Sequence, residues 1–97
     1  MKISDLSQEY REFFEQLQTL KHTNRPGYIS AVCMLIRNTP INESSATWAM
    51  LKNTSKNDFK RAIRCLRCAQ AEYPYRENIE STIAYIRREW LKKEVVA

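Results

Sequence analysis

The chain has 97 residues, one glycine, three prolines, three cysteines and a formal net charge of +5. That length makes one domain with one modest core, burying about 60–65% of the surface its unfolded chain exposes. A single glycine excludes glycine-rich phosphate loops and the tight hairpins of a β protein. The longest apolar run, residues 28–36, is broken by Ser30 and falls far short of the roughly 20 residues that span a bilayer. No signal-peptide core opens the chain, and an odd number of cysteines inside helical patterns suits a reducing compartment. A cytoplasmic location and no membrane contact are the expectations.

The first predicted helix covers residues 5–20. Leu6, Tyr10, Phe13, Phe14, Leu17 and Leu20 recur there at helical spacing. Ser4 is placed to cap it, and residues 21–25 form a polar connection. Pro26 suits the first turn of a second helix, residues 26–37, which is apolar on nearly every side. Such a helix is the centre of a bundle or keeps one face for a partner. Asn38-Thr39-Pro40 ends it. A shorter third helix, residues 43–52, is capped by Asn42 or Ser44. It turns Ala46, Ala49, Met50 and Leu51 inward and leaves Trp48 beside that stripe. Ser55 caps a fourth helix, residues 56–72, with Asp58 as the acid of a capping box. Tyr73-Pro74-Tyr75 separates it from the fifth, residues 76–93, where Ile79, Ile83, Ile86 and Trp90 form a clean apolar stripe. Arg87, Arg88, Lys92 and Lys93 complement the dipole at its end, and residues 94–97 are a frayed tail. The fold class is therefore all-α, a compact single-domain bundle of four to five helices over residues 1–97.

Charge is concentrated. Residues 52–67 hold six of the 16 basic residues and one acid, Asp58, a local balance equal to that of the whole chain. On a helix Lys56, Lys60, Arg64 and Arg67 form one stripe, with Phe59, Ala62, Ile63, Leu66 and Ala69 opposite. A helix that buries one face and shows cations on another can meet phosphates or an acidic protein surface. Residues 1–20 carry two bases against four acids, so the first helix is a candidate to shade the stripe. A solvated acidic face is the default.

No pattern for catalysis stands out. His22 is the single histidine, and no phosphate-loop or metalloprotease motif is present. Cys65 and Cys68 have C-x-x-C spacing and could join Cys33 and His22 around zinc. Mid-helix placement, flanking arginines and the lack of a second pair favour buried packing of the thiols instead. No cofactor and no metal are expected.

Residues 48–63 resemble a helix-turn-helix unit. Ala49 takes the small-residue position, Ser55 opens the recognition helix, and Phe59 and Ala62 anchor it. The resemblance implies DNA contact by Lys56, Asn57, Lys60 and Arg61. Lys52 stands where such units carry an apolar residue, and Asn53 where they carry a turn glycine. Four aromatics, Trp48, Tyr73, Tyr75 and Tyr85, fall off the apolar stripes and suit a protein interface or the ends of the bundle. The leading expectation is a small non-enzymatic accessory protein, of the kind phages and mobile elements encode. It docks on a larger protein of nucleic-acid metabolism through Lys52, Lys56, Asn57, Lys60, Arg61, Arg64 and Arg67 and nearby aromatics. The rivals are a helix-turn-helix DNA-binding regulator and a helical assembly subunit. The sequence leaves the oligomeric state open.

Overall fold

The structure is a computed structural model that describes residues 2–68 and 76–96. Residues 69–72 of the predicted fourth helix, with Tyr73 and Tyr75, lie outside the described residues. Five helices form the fold: α1 (Gln8–Thr23), α2 (Arg25–Asn38), α3 (Ser44–Leu51), α4 (Lys56–Cys68) and α5 (Arg76–Val96). Short 3-10 turns at Ile3–Asp5 and Ile41–Glu43 complete it. No strand occurs among the described residues. The protein is an all-α bundle.

α2 is the central element and packs against α1, α3, α4 and α5, while α3 packs mainly against α5. Its nearly all-round apolar composition is thus used on several sides: Tyr28, Val32, Leu35 and Ile36 are buried. Around them close Leu17 from α1, Met50 and Leu51 from α3, Phe59, Ala62, Ile63 and Leu66 from α4, and Ile79, Ile83, Ile86 and Trp90 from α5. Fully burying one such aliphatic side chain is worth about 1.5–3 kcal/mol, so these stripes dominate the stability of the bundle.

Several boundaries differ from the sequence expectation. α1 is capped by Ser7, whose hydroxyl accepts from the Tyr10 amide at 3.4 Å, and not by Ser4. Leu6 is buried in extended backbone ahead of the helix, and that insertion moves the start. The expected connection over residues 21–25 is reduced to Asn24. That residue closes α1 through its amide to the Leu20 carbonyl and caps α2 through its side chain, which accepts from Gly27 N at 3.1 Å. A Cβ on Gly27 would stand 2.8 Å from the Asn24 side-chain nitrogen, so this tight corner uses the one glycine. At the other end, α5 runs on to Val96, where a frayed tail was expected. Glu94 reaches Lys56 there, giving the last turn a tertiary contact.

Polar groups inside the bundle are paired across elements. Tyr28 and Thr54 share a hydroxyl contact of 2.7 Å. The Thr39 hydroxyl donates to the Leu35 carbonyl at 2.5 Å and lies 2.6 Å from that of Thr47. Thr39 has one proton, so Thr47 is the donor in that pair. Ser44 and Thr82 meet at 3.4 Å. Asp58 is buried as well, with its carboxylate 2.6 Å from the Arg25 guanidinium. It therefore serves as a strut between the N-termini of α2 and α4, a long-range role that its position in the local capping pattern does not reveal. The cap itself is made by Ser55, whose hydroxyl accepts from the Asp58 amide at 3.1 Å.

Candidate functional site

α4 presents two unlike faces because its apolar residues follow the helical period. Phe59, Ala62, Ile63 and Leu66 are buried. Lys56, Asn57, Lys60, Arg61, Arg64 and Arg67 are all exposed, as is Lys52 just before the turn. The stripe is not shaded by α1, which packs on α2. Its ion pairs run instead to α5: Lys56 with Glu94, and Arg67 with Glu80 at 3.3 Å. These pairs fix an antiparallel register, with one acid–base clip at each end.

Between the clips lies an open groove. Two adjoining hollows of about 390 and 370 Å³ share Lys60, Ile63 and Arg87. Arg64 and Arg67 line the first, and Phe59, Trp90 and Leu91 line the second. Phe59 and Trp90 meet edge-on with centroids 4.7 Å apart, which gives the groove a firm apolar base. Among the described residues, Lys60, Arg64 and Arg87 have no carboxylate partner. Sequence reading missed Arg87, Glu80 and Glu94 as parts of this site. The signal was present, since residues 80, 87 and 94 are seven apart and so fall on one face of a helix.

Of the predicted interface aromatics, the two within the described residues, Trp48 and Tyr85, do not line the groove. Trp48 is half-buried and meets Trp90 edge-on at 5.7 Å. Tyr85 is half-buried, with the Arg88 guanidinium 5.9 Å from its ring centre. The turn before α4 also departs from a helix-turn-helix unit. None of the described residues has a positive φ, so the left-handed residue at the glycine position is missing. α3 and α4 also have different principal neighbours, α5 and α2 respectively.

The thiols were expected to be buried packing, and they divide. Cys65 is exposed, because its position on α4 faces away from the core. Cys33 is half-buried and donates to the Ala62 carbonyl at 2.9 Å. Burial pushes its thiol pKa up, and Cys65 nearby adds to the effect. Both line a hollow of about 270 Å³ with Ile29, Met34 and Leu66. The Cys68 side chain is outside the described set. His22 is exposed at the end of α1, and no group of three or more metal-ligating residues occurs among the described residues. Between α1 and the 3-10 turn at Ile41–Glu43, Tyr10 donates to Glu43, and burial together with that carboxylate pushes its phenol up to about 12. None of the helices is long and apolar enough to cross a membrane among the described residues. Comparison with known protein families, curated proteins and solved structures gives no match.

Proposed function

We propose that this protein is a small non-catalytic docking module that binds an acidic surface of a larger protein through the α4–α5 groove and modulates that protein. The observation that carries the reading is the set Lys60, Arg64 and Arg87, three cations around one apolar-based hollow without carboxylate partners among the described residues. Cations left unpaired beside apolar surface favour an anionic partner with apolar neighbours over bulk solvent. Proteins that handle nucleic acid are the first class to search. A domain of this charge accumulates near polyanions without any specific contact, and so meets such proteins at raised local concentration.

The test is capture from a nuclease-treated lysate, with the captured protein identified by mass spectrometry. Lys60→Glu combined with Arg64→Glu should abolish capture while helical circular dichroism is retained. Capture that survives the double reversal rejects the groove as the contact. Capture that disappears on nuclease treatment, with a shift of duplex DNA at about 50 mM salt and a steep salt dependence of about −0.9 per phosphate contact, supports direct DNA binding in its place.

A further inference from the structure

The groove has two properties that an ordinary basic surface lacks: its cations are bracketed by acids, and its base is apolar. Lys56 to Arg67 spans about 16 Å of helix axis at 1.5 Å per residue. A carboxylate stands at each end of that span, Glu94 beside Lys56 and Glu80 beside Arg67. Lys60, Arg64 and Arg87 occupy the interval, over Ile63, with Leu91 61% exposed on the rim.

A nucleic-acid strand fits this poorly. Each strand of duplex DNA carries one charge per about 3.4 Å of axis, so a strand laid along the groove runs into both glutamates. A compact acidic cluster ends before it reaches them. Two carboxylates at i and i+4 on a helix are separated by about 6 Å of rise, the same rise that separates Lys60 from Arg64. Apolar residues flanking that pair would meet Ile63 and Leu91. Resting on the docking reading above, we infer that the occupant is an acidic amphipathic helix of the partner protein. Its paired carboxylates face Lys60, Arg64 and Arg87, and its apolar stripe seats on Ile63 and Leu91. This is helix-in-groove recognition with charge setting the register.

Fluorescence anisotropy tests it. The probe is a labelled helical peptide of about 15 residues, with glutamates at i and i+4 and leucines on the adjoining face. The comparators are the same composition with the leucines moved to the opposite face, and a duplex oligonucleotide long enough to span the groove. At about 150 mM salt, where exposed charges are screened beyond about 8 Å, the amphipathic peptide should bind. The rearranged peptide and the duplex should each bind about tenfold or more weaker, a difference of one decade in Kd. Lys60→Glu with Arg64→Glu should weaken the amphipathic peptide by about tenfold or more, and Leu91→Asn should weaken it with helicity unchanged. Equal binding of the two peptides overturns the apolar anchor but leaves charge-driven docking standing. Tighter binding of the duplex overturns both. An unaltered Kd in the Lys60→Glu, Arg64→Glu variant, or no binding of the amphipathic peptide up to about 1 mM, overturns the inference alone. Concentration-dependent dimerisation in sedimentation that the peptide fails to suppress leaves the inference standing, whereas a dimer that excludes the peptide overturns it and assigns the groove to a second copy, whose Glu9, Glu12 and Glu15 are exposed on α1.

Discussion

Breaking the Arg25–Asp58 ion pair from its exposed end should destabilise the fold more than deleting it from its buried end. The two side chains are 53% and 5% exposed, with 2.6 Å between Arg25 Nη2 and Asp58 Oδ2. Burial alone singles out Asp58 as the sensitive position. Desolvation of charge argues the reverse. In Arg25→Ala the Asp58 carboxylate stays inside without its cation, and breaking a buried pair this way costs about 3–5 kcal/mol. The N-terminal dipole of α4 returns about 0.5–1 kcal/mol of that. Water reaching the space left by a half-exposed side chain lowers the cost further, to about 2–3 kcal/mol. In Asp58→Ala the guanidinium swings into solvent. The loss is then one charge-assisted hydrogen bond, offset by the desolvation no longer needed, about 1 kcal/mol. The double substitution should match Asp58→Ala. Adding Asp58→Ala to Arg25→Ala should therefore restore about 1–2 kcal/mol. Urea unfolding followed by circular dichroism measures all three. For a chain of this size each kcal/mol moves Tm by about 4–8 °C, so Arg25→Ala should melt about 10–20 °C lower. A loss below about 0.5 kcal/mol for Arg25→Ala, the value of an ordinary surface pair, would refute the reasoning. So would a double variant less stable than Arg25→Ala.

Three further outcomes are expected. Tyr28→Phe leaves the Thr54 hydroxyl, 7% exposed, without its partner and should cost about 1–2 kcal/mol; the urea midpoint should fall at constant slope, and Thr54→Val should recover part of the loss. Tyr10 titrates higher in the fold, at about 12, than its ordinary 10.0. The fold thus favours the neutral phenol: the contribution is full below the unfolded pKa and is lost as pH rises toward the folded one. Tyr10→Phe should remove that alkaline fall, and an unchanged pH profile would count against the Tyr10–Glu43 contact. Cys65 should react with iodoacetamide before Cys33, because Cys65 is exposed while burial raises the Cys33 thiol pKa; peptide mapping that finds Cys33 modified first would contradict the placement of both.

The apolar stripes were legible because one physical rule writes them. A helix that buries one face repeats its apolar residues every three or four positions, so Phe59, Ala62, Ile63 and Leu66, and then Ile79, Ile83, Ile86 and Trp90, announce both the element and its inner side. The exposed cations of α4 follow from the same repeat. What stayed hidden depends on a second element. Ser4 and Ser7 are equally good caps, and only the insertion of Leu6 into the core chooses Ser7. Asp58 resembles a capping acid until Arg25, 33 residues away, is brought beside it. The hydroxyl pairs Thr39–Thr47 and Ser44–Thr82 have no local signature, since threonine and serine are ambiguous until their neighbours are known. Glu94 looked like a tail residue because its partner Lys56 lies 38 positions earlier.

The cations of α4 divide by position into two roles. Lys56 and Arg67 sit at the ends and are tied to Glu94 and Glu80. Among the described residues, α4 and α5 have little close backbone approach. The two clips and the Phe59–Trp90 contact therefore hold the walls at a fixed spacing. Exposed pairs of this kind contribute about 0.2–1 kcal/mol each, so their value lies in geometry more than in stability. Lys60, Arg64 and Arg87 sit between the clips and pair with no carboxylate among the described residues. Neither the packing of α4 nor the register of α5 needs them, and three like charges around one hollow repel one another. A cationic cluster that weakens the free protein slightly and is relieved by an anion stores its benefit in the complex. On the docking proposal, that division is why reversing Lys60 with Arg64 tests recognition alone, whereas any reversal that includes Arg67 also loosens a wall of the groove.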